Sequence, residues 1–144
     1  MTTSYVELPE LPVMRVRADM KGSGPRAAFD HLESRLPTLK GRKFYGSFRL
    51  TPNGEEYYAC VVRHDSDDPE KMQLETGVIP GGWFARRKLP DWETRIAELP
   101  KMFDEMAQAE VVDPDRPSLE FYRSREELQL LVPVRGPPEG ARPR

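Results

Sequence analysis

Apolar and polar residues alternate in several short runs along the chain, and two longer runs repeat at a helical period. The alternating runs predict strands at residues 13–18, 42–50, 56–64, 74–88, 117–123 and 128–135. Apolar residues at three- and four-residue steps predict one helix with Ala28, Phe29, Leu32, Leu36 and Leu39. They predict a second helix with Trp92, Ile96, Leu99, Phe103 and Met106. The order strand, helix, strand, strand therefore occurs twice.

Turn and cap residues mark the ends of these elements. Ser23 or Gly24 can cap the first helix, with Pro25 at its first position. Asn53-Gly54 predicts a hairpin turn between two strands. We expect Asp91 to cap the second helix, and Pro100 to kink it or divide it in two.

A short sequence similarity between the two halves accompanies this repeated order. Leu8-Pro9 precedes Val13-Met14-Arg15, as Ile79-Pro80 precedes Phe84-Ala85-Arg86. Such a similarity is typical of duplication, although so short a match can also arise by chance. A chain of 144 residues is expected to form one domain, here residues 1–135. The Pro/Gly-rich residues 136–144 are expected to be a disordered tail.

Composition narrows the classes of function. The net charge of −2 gives no overall basic field for nucleic acid. A single cysteine, Cys60, excludes an internal disulfide, and its strand position favours packing over reactivity. His31 and His64 have no metal-like spacing, so we expect neither metal nor cofactor. With no signal peptide and no apolar run of about 18 residues, we expect a cytoplasmic protein without membrane contact.

Four segments resemble GyrI-like (gyrase-inhibitor-like) domains in order and spacing. Leu119-Glu120-Phe121-Tyr122, followed by Leu130-Leu131-Val132-Pro133-Val134, is similar to the family's C-terminal signature. Residues 78–85, residues 57–62 and Trp92 resemble its upstream motifs. The chain departs from the family at Leu89-Pro90-Asp91-Trp92, at Tyr58, where the family has a strand Asp, and at Pro100.

The resemblance implies an α+β fold. Duplicated β-α-β-β (SHS2-type) units would form antiparallel sheets with two main helices around a central ligand cavity. Family members bind bulky, often cationic, aromatic compounds as effector-binding domains of multidrug-responsive regulators or as stand-alone bacterial proteins. Some modulate DNA gyrase, and others hydrolyse cyclopropane-bearing genotoxins, which gives toxin resistance.

The resemblance also implies a set of site residues. Glu120 corresponds to the family's pocket carboxylate, and Tyr122 shares its face of the strand. Candidates for the aromatic wall are Tyr45, Tyr58, Trp83 and Trp92. A carboxylate among aromatic rings selects flat lipophilic cations, and Glu120 with Tyr122 could also serve as general base and hydrogen-bond donor in catalysis.

Other readings stay open at the level of sequence. Glu120 can lie on a solvated face or pair with Arg86 or Arg123, Trp92 can be a core residue, and only one of Tyr57 and Tyr58 can face the cavity. The leading hypothesis is stand-alone binding of an aromatic small molecule by a monomer or homodimer. A cyclopropane hydrolase is the first alternative. The second is a protein-interaction role in which gyrase or a regulator is the partner.

Overall fold

Residues 2–136 are described by a computed structural model. Their fold class is α+β, and the strands pair antiparallel. The elements are β1 (Ser4–Leu8), β2 (Leu11–Arg17), α1 (Gly24–Ser34), β3 (Phe44–Thr51), β4 (Gly54–Val62), α2 (Pro69–Met72), β5 (Glu75–Ile79), β6 (Gly82–Pro90), α3 (Leu99–Ala109), β7 (Ser118–Tyr122) and β8 (Glu127–Val134). The alternation of apolar residues thus predicts β2, β3, β4, β7 and β8 within a few residues. The single run predicted at 74–88 forms two strands, β5 and β6, and β1 was not among the predicted strands. Of the expected tail, residues 137–144 lie outside the described part of the chain.

The chain divides into two units with the same internal strand order. The inner unit is Leu11–Ile79, and the outer unit is the described part of Met1–Glu10 and Pro80–Arg144. Strands follow the order β3-β4-β2-β5 in the inner unit and β7-β8-β6-β1 in the outer unit. Each unit therefore contains a strand, a helix and a hairpin, plus one edge strand that pairs with the strand before the helix.

The core of the inner unit lies between α1 and one face of its sheet. Ala28 and Leu32 on α1 are buried together with Leu36, just beyond its end, as their spacing predicts. They pack with Met14, Tyr57, Ala59 and Val61 of the sheet. Burying a leucine such as Leu32 contributes about 2 kcal/mol. Of the two remaining apolar residues of the predicted stripe, Phe29 is partly buried against this cluster, and Leu39 follows the helix and is 46% exposed.

Local signals explain where α1 and the inner hairpin begin. α1 starts at Gly24, which has φ +73°, and carries Pro25 in its first turn, where a missing N–H costs no helical hydrogen bond. Ser23 stands at the N-cap without a side-chain capping bond. The hairpin turns at Pro52-Asn53, and Gly54 adopts φ +109°. The turn predicted from Asn53-Gly54 is confirmed.

The single helical stripe expected from Trp92 to Met106 is wrong. Asp91 adopts φ 52° and its side chain caps nothing. Two 3-10 turns follow, Trp92–Thr94 and Ile96–Glu98, and α3 begins only at Leu99 with Pro100 in its first turn. Because proline has no N–H to donate, it fits the first turn of a helix and not its interior. Pro100 therefore lies at the start of the helix and neither kinks it nor divides it in two.

Arg116 holds the ends of β6 and β8 together in the outer unit. Its guanidinium donates to the carbonyls of Trp83 at 3.0 Å and Val134 at 2.6 Å, and to the Asp113 carboxylate at 2.9 Å. A Cβ at Gly82, where φ is +140°, would lie 2.5 Å from this guanidinium. Glycine is therefore required at position 82 by both the backbone angle and the space available.

In the described part of the chain, no helix is long and apolar enough to span a bilayer.

Candidate functional site

Strand β7 places Glu120 and Tyr122 on one face of the outer sheet. The Tyr122 hydroxyl donates a hydrogen bond to Glu120 Oε1 at 3.0 Å. Glu120 is only 8% exposed, while its neighbour Leu119 is fully buried on the opposite face. The alternation predicted from the sequence is confirmed, and the solvated position considered for Glu120 is wrong.

The cross-strand neighbours of this pair are apolar. Glu120 pairs across the ladder with Leu130, and Tyr122 pairs with Leu128. Both leucines are fully buried. A carboxylate so close to hydrocarbon loses hydration, and hydrogen bonds such as the one from Tyr122 offset part of that loss.

The arginines considered as partners of Glu120 are engaged elsewhere. Arg86 donates from Nε to the Ser4 hydroxyl at 3.1 Å, and its pairing with Leu131 places it on the opposite face of the sheet. Arg123 lies 3.4 Å from Glu127 in an exposed ion pair. Among the described residues, neither of these alternative pairings of Glu120 is formed.

Trp92 joins the pair from the segment before α3. Its indole Nε1 donates to the backbone carbonyl of Ser124 at 2.9 Å. Its ring meets the Tyr122 ring edge to face, with centroids 5.2 Å apart and planes at 71°. We call Glu120, Tyr122 and Trp92 the Glu120 cluster. It combines a buried carboxylate, a phenol and an indole.

The end of α3 lies on the sheet face that carries the cluster. Register places Tyr5 beside Ala85 and Ala85 beside Val132, which shares a face with Leu130 and therefore with Glu120. The Tyr5 hydroxyl donates to the carboxylate of Glu110, the C-cap of α3. Burial, and then the bond to Glu110, raise the pKa of Tyr5 to about 12. Tyr5 therefore stays neutral at physiological pH.

Trp83 lies on the same face but apart from the cluster. It pairs with Val134, at the end of β6 away from the rows of Glu120 and Tyr122. Its carbonyl accepts a bond from Arg116, and within the described residues its indole makes no hydrogen bond or ring contact. Trp83 stays a predicted wall residue.

Tyr45 and Tyr58 belong to the inner unit, on the sheet face opposite α1. Tyr45 is 6% exposed, and burial raises its pKa. Tyr58 is half-buried beneath the guanidinium of Arg15, which lies 4.0 Å from the ring centroid. The ligand roles of both tyrosines also stay predictions.

Tyr57, not Tyr58, is the tyrosine on the α1 side. Its ring stacks with Phe48 and meets Phe29 edge to face, with both centroid distances at 6.4 Å. Period-two alternation with the apolar Ala59 and Val61 could have identified this orientation from the sequence. Tyr57 therefore lies on the face of its sheet that α1 covers.

The described residues contain no group of three His, Cys, Asp or Glu side chains that could hold a metal ion. Cys60 is buried, and burial raises the pKa of its thiol to about 12. The thiol is therefore protonated and unreactive at neutral pH.

No protein-family model matches the sequence, and no curated protein does either. Solved structures do resemble the chain over nearly its whole length. An integron cassette protein from Vibrio cholerae has a TM-score of 0.67 and 13% identity, covering 92% of this chain and 95% of its own. A protein named SAV2435, solved bound to tetraphenylphosphonium, has a TM-score of 0.58 and 14% identity, covering 94% of this chain and 95% of its own.

A structure described as a hydrolase from Listeria innocua has a TM-score of 0.56 and 12% identity, covering 92% of this chain and 90% of its own. The chain shares its fold with these proteins. At such identities the likeness concerns the fold alone, so function must be argued from the site.

Proposed function

We propose that this protein binds bulky, lipophilic aromatic cations at the Glu120 cluster. The observation that carries the proposal is a carboxylate, 8% exposed, that lies beside the Tyr122 hydroxyl and the Trp92–Tyr122 ring pair. A carboxylate away from water gains most from a cation that arrives with little hydration to lose. Aromatic faces add about 0.5–2 kcal/mol for such a cation. Flat or propeller-shaped aromatic cations therefore suit the cluster.

Two further findings support this proposal. One structure with the same fold was solved bound to tetraphenylphosphonium, a lipophilic aromatic cation. The two units have the same strand order, in keeping with the duplicated SHS2-type units of GyrI-like domains. We propose on these grounds that the chain is a member of that group with broad drug or toxin binding.

Glu120→Gln tests the proposal because it keeps the side-chain shape and removes the charge. We expect tetraphenylphosphonium to bind the wild type and to bind the variant about 10–100-fold more weakly, since 1.4 kcal/mol corresponds to tenfold. Isothermal titration calorimetry measures both constants. Tetraphenylborate has the same shape and a negative charge. It should bind the wild type more weakly than tetraphenylphosphonium does, and the difference between the two affinities should be smaller in Glu120→Gln.

Glu126→Gln is the matched control, because Glu126 is exposed in the nearby β7–β8 turn. It should leave the affinity for tetraphenylphosphonium within about twofold of wild type. Equal binding of the phosphonium and the borate, or no loss in Glu120→Gln, would contradict a role for the carboxylate.

A second candidate function is hydrolysis of cyclopropane-bearing alkylating compounds. It is favoured by the structural likeness to a protein described as a hydrolase and by the carboxylate–phenol pair of Glu120 and Tyr122. Glu120 would take a proton from water as the water oxygen bonds to a ring carbon. The strained carbon–carbon bond would break, and its electrons would move to a conjugated carbonyl that Tyr122 protonates.

Incubation with a spirocyclopropyl-cyclohexadienone tests this second function by mass spectrometry. Turnover adds the mass of one water, and Glu120→Gln should lower its rate at least 100-fold. Binding without any hydrated product would leave the protein a binder.

A further inference from the structure

The segment between β6 and α3 carries Trp92 against Tyr122, and little of the segment's own surface is buried. Residues 91–98, which we call the lid segment, consist of Asp91, two 3-10 turns and Arg95 between them. Neither turn contains a buried residue, and Ile96 is 55% exposed. Single 3-10 turns have weak hydrogen-bond geometry, and segments with little buried apolar surface open at low free energy.

The lid segment lies between two prolines, and each of its ends can act as a hinge. Pro90 ends β6, and Asp91 after it adopts φ 52°, an unfavourable angle for a residue with a side chain. At the other end Pro100 lies in the first turn of α3, whose N-cap Glu98 makes no side-chain capping bond. Rotation about Asp91 and about the uncapped start of α3 would move residues 92–98 away from Tyr122, and the two 3-10 turns would loosen once they lose that contact.

Few contacts hold the lid segment down. Most of its hydrogen bonds are internal, such as Arg95 N to Trp92 O and the Arg95–Glu98 ion pair. Within residues 2–136, its polar contacts to other elements are Trp92 Nε1 to Ser124 O at 2.9 Å and Asp91 N to Glu126 O at 3.2 Å. Both end on the β7–β8 turn, directly after Tyr122.

We propose that the lid segment opens and closes over Glu120 and Tyr122, with the Trp92 indole as its latch. In the closed form, the indole N–H holds Ser124 O while the ring covers Tyr122. In the open form, that bond breaks and the Tyr122 ring and the Glu120 carboxylate become accessible from the Trp92 side. This inference rests on the proposed binding function for its purpose, because a closed lid would retain an aromatic cation.

Trp92→Phe separates the latch from the ring. Phenylalanine keeps an aromatic face toward Tyr122 and removes the N–H that binds Ser124 O. Hydrogen–deuterium exchange of the unliganded protein measures opening without any ligand. We expect amides of residues 92–98 to exchange at least tenfold faster than those of α3, and Trp92→Phe to accelerate them about tenfold more.

Arg125→Ala is the control, since Arg125 is exposed in the same turn as Ser124. It should leave exchange of the lid segment unchanged. Protection of residues 92–98 equal to that of α3, with no change in Trp92→Phe, would overturn the lid.

Stopped-flow binding of tetraphenylphosphonium then connects the lid to the ligand. We expect Trp92→Phe to raise the association and dissociation rates together, each about tenfold. Unchanged association in a variant whose lid exchanges faster would overturn gating. If the phosphonium does not bind the wild type at all, the proposed function fails, whereas the exchange data still decide whether the segment moves.

Discussion

At the scale of single residues, the buried ion pair of Arg42 and Asp67 joins two segments that lie far apart in the sequence. Two guanidinium nitrogens of Arg42 donate to the two Asp67 carboxylate oxygens, at 2.7 and 2.5 Å. The side chains are 6% and 3% exposed. The bond from Arg42, and then the backbone bond from His64, lower the pKa of Asp67 to about 2. The pair attaches the loop after β4 to the segment before β3.

Asp67→Asn should lower the free energy of unfolding by about 3 kcal/mol, because it leaves the Arg42 charge buried without a carboxylate. Thermal unfolding should shift by roughly 10 °C. The wild-type contribution is complete above pH 4, the ordinary range of an aspartate, and is lost as the pH falls through about 2. Unfolding of the variant should depend less on pH over this range.

Asp65→Asn supplies the comparison, since Asp65 is an exposed acid in the same loop. Its stability should stay within about 0.5 kcal/mol of wild type. Equal losses in the two variants would mean that the buried pair contributes nothing specific.

At the scale of elements, the ends of β6 and β8 depend on a side chain from outside the strands. Arg116 satisfies carbonyls of both strands and lies over the Phe84 ring, 5.0 Å from its centroid. Strand pairing alone does not explain why position 82 has no room for a side chain. The space is filled by the guanidinium, which a side chain at position 82 would have to displace.

A double-mutant cycle tests this arrangement. Gly82→Ala should cost about 2 kcal/mol or more from backbone strain and the contact with Arg116, and Arg116→Ala should cost about 3 kcal/mol from unsatisfied carbonyls. The double variant should lose at least 0.5 kcal/mol less than the sum, because removing Arg116 removes the clash. Urea unfolding measures all four proteins.

Gly41→Ala separates strain from contact. Gly41 also has a positive φ, +75°, but a Cβ there meets nothing within 4 Å. It should cost about 1 kcal/mol from the backbone angle alone. Strict additivity of Gly82→Ala and Arg116→Ala would show that the two positions do not interact.

At the scale of the whole molecule, each unit repeats one order of elements. A strand, a helix and a hairpin occur in both, and each unit gains an edge strand, β5 or β1. The chain passes from β1 of the outer unit into the inner unit and returns at Pro80. The repeated order is visible in the sequence, whereas the pairing of β1 with β6 requires the three-dimensional structure.

The sequence by itself determined α1, most of the strands though not β1, the Asn53-Gly54 turn and the shared face of Glu120 and Tyr122. These features follow from local periodicity and from the restricted backbones of glycine and proline, which act over a few residues. Position 120 itself was singled out by family resemblance, which periodicity could not supply.

Only the tertiary structure decided the rest. It showed that the Trp92 ring contacts Tyr122 from a 3-10 turn and that Arg42 binds Asp67. These contacts join residues that lie 25–30 positions apart, so no local period encodes them. They form because each buried polar group and each half-buried ring must find a partner once the strands have paired.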